Sequence, residues 1–246
     1  MKEQSTSNRS DNEYKYYDLS KKMIEEMNVD LIDYIDDPFV FVSRQSVAAS
    51  LAKIELFKKI RKIKGSIVEC GVYKGNGSML FYHLSSIYEP YALNRKIISF
   101  DSFEGFKKIS DKDEKNIDPN DFSDTNYEVL NSISRINDLN RSISHIQKIK
   151  IIKGDALITI PKYKKEHPEL IIALLYLDFD LYEPTKIALK ELFELVPNGG
   201  IVAFDELNSK KWKGETIAFK EYFSELNFRL QKFNYDPWMS YFIVDK

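Results

Sequence analysis

The sequence predicts an α/β fold, a doubly wound sheet with helices on both faces and a helical extension at its N-terminus. Three observations indicate this fold. Residues 66–78 combine a short apolar run, a glycine-rich turn and the start of a helical pattern. Apolar strands then alternate with helical patterns along the chain, five times in all. Polar residues follow the carboxyl end of each predicted strand, the edge at which open α/β sheets bind ligands.

Length, charge and cysteine content limit the class of protein. The chain has 246 residues, 43% of them hydrophobic, which suits one α/β domain with additions. A net charge of −2 provides no general attraction for nucleic acid. The single cysteine, Cys70, excludes an intramolecular disulfide and favours a cytoplasmic location. No stretch approaches the roughly 20 apolar residues of a membrane span, and the polar N-terminus predicts no export signal.

Three segments are predicted along the chain. Residues 1–13 carry almost no apolar side chains and are expected to be a disordered tail. Residues 14–64 are expected to form the helical extension, with Ser43 as the N-cap of its second helix. This extension packs on the core, covers the ligand site or forms a subunit contact. Residues 65–246 are expected to form the domain that contains the sheet.

The remaining elements of the predicted sheet follow in order. Further strands are predicted at 96–100, 150–152, 170–177, 201–204, 228–233 and 239–244. Helices are predicted at 127–143, 185–195 and 214–226. Residues 107–125 are a long acidic stretch without a pattern, and such a loop is either a lid or a solvated linker.

The turn after the first predicted strand has the composition of a ligand-binding loop. Its spacing is acid-x-Gly-x-x-x-Gly-x-Gly, from Glu69 through Gly71 and Gly75 to Gly77. The spacing differs from the Gly-x-Gly-x-x-Gly of dinucleotide enzymes. Asp101 ends the second predicted strand, where a carboxylate accepts hydrogen bonds from ribose hydroxyls or is simply a solvated loop residue.

Four acids follow two later strands. Asp178 and Asp180 are two residues apart at one strand end, so their side chains are expected on the same side. Asp205 and Glu206 end the next strand in sequence, and if the two strands are neighbours in the sheet, they lie about 4.8 Å apart. Clustered carboxylates favour a hard divalent cation such as Mg²⁺, since scattered histidines provide no zinc site. Alternatively, these acids cap helices or bind lysines separately.

Together, these motifs resemble the macrocin O-methyltransferase family of class I S-adenosylmethionine-dependent methyltransferases. The resemblance extends from about residue 44 to residue 223, and its motifs lie at 67–77, 101–105, 178–185, 198–200 and 205–206. It implies a Rossmann-like methyltransferase fold, bound S-adenosylmethionine and a divalent metal, usually Mg²⁺. It also implies that a sugar hydroxyl is methylated.

The resemblance implies roles for individual residues. Asp178 and Asp205 match metal ligands, and Glu206 stands where relatives commonly have a second aspartate. Asp180 matches the general base, so Asp180 and Asp178 are the predicted catalytic residues. The positions predicted to bind the donor are Glu69, Gly71, Tyr73, Gly75, Ser78 and Asp178, with Asp101 and Ser102 on the ribose and Asp155 on the adenine.

Two other functions stay open at this point. The chain is alternatively a methyltransferase of the same fold that acts on another small-molecule hydroxyl or an amine. The second alternative is a non-catalytic protein of this fold that only binds the ligand. Residues 212–216 and the aromatic C-terminus depart from the antibiotic-sugar enzymes, which leaves the acceptor undefined. A homo-oligomer is predicted from the resemblance and from the apolar faces of the extension, which carry Met23, Ile24, Met27, Leu51 and Ile54. The predicted partner is a small-molecule sugar acceptor, and no nucleic acid is expected.

Overall fold

The computed structural model describes residues 10–26, 32, 37–225 and 228–245. The helices are α1 (Asp11–Glu26), α2 (Arg44–Ile60), α3 (Asn76–Tyr88), α4 (Tyr127–Asp138), α5 (Ala156–Glu166), α6 (Tyr182–Leu192) and α7 (Lys213–Tyr222). The strands are β1 (Ser66–Cys70), β2 (Ile97–Asp101), β3 (Ile149–Lys153), β4 (Ile172–Leu177), β5 (Ile201–Phe204), β6 (Gln231–Lys232) and β7 (Ser240–Ile243). Short 3₁₀ helices also lie at Pro38–Val40 and Phe193–Leu195.

The strands form one sheet in the order β3-β2-β1-β4-β5-β7-β6. The first five strands in this order are parallel, and β7 is antiparallel to both β5 and β6. Successive strands are added to one side of β1 up to β3 and to the other side from β4 onward. This reversal of the strand order opens a crevice at the carboxyl ends of β1 and β4. The predicted α/β class with a Rossmann-like sheet is confirmed.

Both faces of the sheet are buried by helices. Ile67 of β1 belongs to an apolar cluster that includes residues of α2, α3 and α4. Its neighbour Val68 belongs to a second cluster with residues of α5, α6 and α7. Successive side chains of a strand point to opposite faces, so these clusters lie on opposite sides of the sheet. All six residues of β4 are buried, as expected for a central parallel strand.

The chain divides into two compact units, Met1–Val47 and Ala48–Lys246. In the first unit, no residue of α1 is buried, and Glu13 accepts hydrogen bonds from Arg44 and Gln45. Ser43 Oγ accepts the Ser46 N–H at 3.2 Å just before α2, which agrees with its predicted role as an N-cap. Of the predicted disordered tail, the first nine residues lie outside the described residues, while the last three begin α1.

Several predicted elements differ from those observed. Helix α5 was not predicted, because Pro161 and a polar second half interrupt its apolar pattern. The helix predicted at 127–143 ends at Asp138, and the strand predicted at 228–233 contains only Gln231 and Lys232. No helix within the described ranges is both long and apolar enough for a membrane span.

Candidate active site

Gly71 allows the ends of β1 and β4 to approach closely. It follows β1 with φ +95°, a conformation that favours glycine. A methyl group placed on its Cα would lie 1.8 Å from the carbonyl oxygen of Asp178. The Asp178 N–H donates to the carbonyl of Cys70, the last residue of β1, at 2.7 Å, which continues the ladder one residue beyond β4. The glycine turn and the first predicted metal ligand are therefore adjacent in the crevice.

The acid of the glycine motif is buried beneath this turn. Glu69 is 2% exposed and accepts a hydrogen bond from the hydroxyl of Ser78, in the first turn of α3. The Ser78 hydroxyl also shares a hydrogen bond of 2.7 Å with Ser99 on β2. Burial raises the pKa of Glu69 to about 7, although Lys53 and Ser78 act to lower it. The first turn of α3 is thus hydrogen-bonded to both β1 and β2 through Ser78.

Asp101 holds the glycine turn through its side chain. Its Oδ2 accepts the N–H groups of Val72 at 2.7 Å and Tyr73 at 2.9 Å, and its Oδ1 accepts the Phe103 N–H at 2.7 Å. Ser102 donates its hydroxyl to the Gly105 carbonyl. A carboxylate has about four acceptor positions and three are used here, so Asp101 keeps capacity for about one hydrogen bond from a ribose hydroxyl, and this role stays a prediction.

Three other predicted donor residues have defined local roles. Gly75 precedes α3 with φ +85°. Tyr73 has φ +47°, and its ring packs edge-on against Phe122 at 5.1 Å between centroids. Asp155 caps α5 by accepting the Leu157 N–H at 2.9 Å. Their contacts with the donor stay predictions.

The four predicted acids lie at the ends of adjacent strands. β4 pairs with β5, so Asp178 and Asp205 do follow neighbouring strands. The expectation that Asp178 and Asp180 project to the same side is wrong in its premise. β4 ends at Leu177 and Asp180 has φ +63°, so the alternation of an extended strand does not apply there. Such a backbone conformation costs free energy and is common at functional sites.

A fifth carboxylate belongs to this site and was not predicted. Glu215, in the first turn of α7, is 0% exposed, and its Oε1 accepts the Glu206 N–H at 3.3 Å. Its Oε2 is buried without a hydrogen-bond partner among the described residues. The sequence signal was present, since Glu215 belongs to the segment that departs from the antibiotic-sugar enzymes, but nothing in the sequence indicated that it is buried.

Known proteins resemble this chain in both sequence and structure. The family model described as macrocin O-methyltransferase matches residues 46–242. The chain belongs to this family. The predicted enzyme class, an S-adenosylmethionine-dependent O-methyltransferase, is thereby confirmed. No curated protein matches the chain.

Three solved structures illustrate the relationship. A crystal structure of CalS11, a calicheamicin methyltransferase, is 29% identical with a TM-score of 0.89, over 96% of this chain and 94% of that one. An apo structure of CalS11, described as a TDP-rhamnose 3'-O-methyltransferase, is 28% identical with a TM-score of 0.82, over 96% of each chain. The O-methyltransferase NovP, at 20% identity and a TM-score of 0.63 over 81% of each chain, shares the fold.

The charges of the methyltransferase site are unbalanced. Burial raises the pKa of Asp178 well above its usual range, and repulsion from Asp205 adds to this effect. Burial and repulsion from Glu206 and Asp205 do the same for Asp180, and burial raises the pKa of Glu215. Each acid is costly to ionise here because it has left water and faces other acids. The site therefore favours an added positive charge.

The oxygen atoms that line the site are ligands that suit a hard divalent cation. Its side chains present carboxylate oxygens, and Glu215 Oε2 is a buried oxygen for which the described part of the chain offers no hydrogen-bond partner. Across the described ranges, no group of three His, Cys, Asp or Glu side chains is already arranged to hold a metal ion. Tyr176 moreover donates its hydroxyl to Asp205 Oδ1. A cation bound by Asp178, Asp205 and Glu206 would thus require their side chains to move closer together.

The acidity of Glu206 predicts a pH dependence of stability. Burial, followed by repulsion from Asp205, raises the pKa of Glu206 to about 7 from 4.5, although Lys211 and Ser209 act to lower it. The folded state binds the proton of the Glu206 carboxyl more tightly than the unfolded state does. The stabilisation of the folded state by this proton is therefore complete below about pH 4.5 and is lost as the pH rises through 7. In chelator, the free energy of unfolding should fall between about pH 5 and pH 8, by at most about 3 kcal/mol from this group.

Urea unfolding at the two pH values measures this effect. Glu206→Gln should reduce the decrease, because its side chain has no proton to lose. An equal decrease in Glu206→Gln and the wild type would contradict the assignment. Glu183→Gln, in the first turn of α6, is the matched control and should behave as the wild type.

The loop at residues 107–125 is attached to the helices that flank the site. Asp113 is 2% exposed; its Oδ2 accepts the Ser110 N–H at 2.7 Å and its Oδ1 accepts the Tyr182 N–H at 2.8 Å. A methyl group on Gly214 would lie 1.9 Å from Asp113 Oδ1, so α7 also packs closely here. The loop is therefore no solvated linker at Asp113, and its opening or closing on ligands stays a prediction.

Asp113→Ala is expected to loosen this loop. The buried Tyr182 N–H would lose its acceptor, which costs about 1–3 kcal/mol. Hydrogen exchange across residues 107–125 should accelerate, and the melting temperature should fall. The exposed Asp111→Ala in the same loop is the matched control and should change neither. Equal exchange in the two variants would show that Asp113 does not hold the loop.

Proposed function

We propose that this protein transfers a methyl group from S-adenosylmethionine to a sugar hydroxyl, with the help of a divalent cation. The observation that carries the proposal is the adjacency of the donor turn at Gly71 and the acidic strand end at Asp178. The 28% identity to the apo structure of CalS11 over 96% of each chain supports a sugar acceptor, since that structure is described as a TDP-rhamnose 3'-O-methyltransferase.

The acids at the ends of β4 and β5 have separate chemical roles in the proposed reaction. Asp180 accepts the proton of the acceptor hydroxyl, and burial raises its pKa toward the range in which a carboxylate is an effective base. Asp178, Asp205 and Glu206 hold the cation, which supplies Lewis-acid activation of the hydroxyl when it is bound. Asp180 is not among the proposed cation ligands, so its carboxylate stays available for the proton.

The proposal is tested with a panel of acceptors. Transfer from methyl-labelled donor is measured to nucleotide-linked sugars, free sugars, catechols and amines, each with Mg²⁺ and with chelator. We expect the labelled methyl group only on sugars, and only in reactions that contain Mg²⁺. Label on sugars in chelator would reject the cation, and label on an amine or a catechol alone would reject the sugar.

The proposal includes a homo-oligomer located in the cytoplasm. Of the extension residues predicted to form apolar contacts, Met23 and Leu51 are 51% and 46% exposed. Met27 lies outside the described residues. Large exposed apolar side chains support a subunit contact. A monomer mass in solution at working concentration would reject the oligomer.

A further inference from the structure

Lys53 is a charged residue within an apolar helix face. It lies in the middle of α2, next to Ala52 and near Leu56, and it is only 8% exposed. Its Nζ lies 4.6 Å from the centre of the Tyr176 ring. Lysines are almost never this buried unless their charge has a partner. The position of Lys53 therefore requires an explanation beyond packing.

The ammonium group of Lys53 is attracted to acids but bound to none. Burial acts to lower its pKa, yet Asp205, Asp178, Glu69 and Asp236 together raise it, so the group stays charged. Within the part of the chain that the structure describes, it forms neither a hydrogen bond nor an ion pair. Three N–H donors of a buried cation are thus available to a ligand.

The side chain reaches the glycine turn. A methyl group placed on Gly77 would lie 3.2 Å from Lys53 Cε and 1.9 Å from Glu69 Oε1. One glycine in the first turn of α3 therefore leaves room for two side chains of opposite charge. Both lie at the carboxyl end of β1, the part of the crevice where the proposed donor is expected.

We infer that Lys53 binds the carboxylate of the donor's amino-acid tail. This inference rests on the proposed function, because it concerns the donor of that reaction. The tail of S-adenosylmethionine carries one ammonium and one carboxylate, and the pair of Glu69 and Lys53 presents the complementary charges. A charge-assisted hydrogen bond from an ammonium to a carboxylate is among the stronger hydrogen bonds in proteins. Helix α2 then contributes directly to donor binding.

A rival explanation makes Lys53 only an internal counter-ion for Asp178 and Asp205. The two explanations differ in which part of the donor matters. A counter-ion affects every ligand of the site alike, whereas a tail-binding lysine distinguishes ligands that have the carboxylate from those that lack it. The test therefore varies the protein and the ligand together.

The experiment measures the affinity of S-adenosylhomocysteine and of its decarboxylated analogue by calorimetry. The wild type should bind the decarboxylated analogue weaker by on the order of tenfold. In Lys53→Met, which keeps the length and apolar stem, the two ligands should bind within about twofold of each other. Lys59→Met, on an exposed position of α2, is the matched control and should discriminate as the wild type does.

Each other outcome has a defined meaning. The inference is overturned if Lys53→Met still discriminates between the two ligands as the wild type does. It is also overturned if the wild type binds the two ligands equally, and this measurement needs no variant. If Lys53→Met does not fold, Lys53→Arg keeps the charge, and retained discrimination there supports the inference while its loss overturns it. If the wild type binds neither ligand, the proposed donor itself is wrong.

Discussion

Asp178→Asn is expected to reduce methyl transfer by at least about a hundredfold, because the proposed cation loses a charged ligand beside the donor turn. The substitution keeps the size of the side chain, so the protein should fold and bind S-adenosylhomocysteine. Removing the charge also relieves repulsion from Asp205, so the melting temperature in chelator should rise. Initial rates at saturating donor and acceptor measure the first effect, and thermal unfolding in chelator measures the second.

Asp180→Asn is the matched comparison for this prediction. It removes the proposed base and should reduce transfer by roughly 10²- to 10⁴-fold. Cation affinity should stay near that of the wild type, whereas Asp178→Asn should weaken it. Full activity of Asp178→Asn in chelator would contradict the cation proposal and favour acids that bind the acceptor directly.

Gly71→Ala is expected to have the largest effect on folding. The added methyl group would lie 1.8 Å from the Asp178 carbonyl oxygen, and backbone atoms at the ends of two adjacent strands cannot move aside separately. The φ of +95° adds a conformational cost of about 1–2 kcal/mol for any residue with a Cβ. The variant should lose several kcal/mol of unfolding free energy, together with donor binding.

Gly154→Ala separates the two contributions. Gly154 has φ +140°, and the nearest obstacle to a methyl group there is the Thr159 Cγ2, a side-chain atom, at 2.9 Å. It should therefore be less destabilised than Gly71→Ala in urea unfolding. Equal losses in the two variants would show that the conformational cost, and not the contact with Asp178, determines the stability at Gly71.

The edge of the sheet that carries the site followed from the sequence. Glycine spacing and buried apolar runs are local signals, and the rule that ligands bind at the carboxyl ends of parallel strands connects them. Asp178 and Asp205 were therefore expected close together on the condition that their strands are neighbours, and the pairing of β4 with β5 meets this condition. A local pattern was sufficient here because the sheet imposes a fixed spacing.

Other features of the site depend on contacts between distant segments. Lys53 and Glu215 both lie in amphipathic helices, where a charged residue is ordinarily expected on the solvated side. Only the packing of α2 and α7 reveals that these two residues are 8% and 0% exposed. Asp101 likewise has a second task, holding the turn at Val72 and Tyr73, that no spacing could indicate. The wrong expectation for Asp180 has the same origin, since the apolar run does not show that the backbone turns to a positive φ at Asp180, three residues beyond the end of β4.

The most direct test of the central claim is the chemical position of the transferred methyl group. The protein is incubated with S-adenosylmethionine labelled with ¹³C in its methyl group, Mg²⁺ and a nucleotide-linked 6-deoxyhexose, and the product is examined by NMR. The account predicts a labelled methyl ether on one hydroxyl of the sugar ring, absent from reactions with Asp180→Asn. A labelled methyl on nitrogen, on the nucleotide, or on the sugar at the same rate in Asp180→Asn would contradict the account.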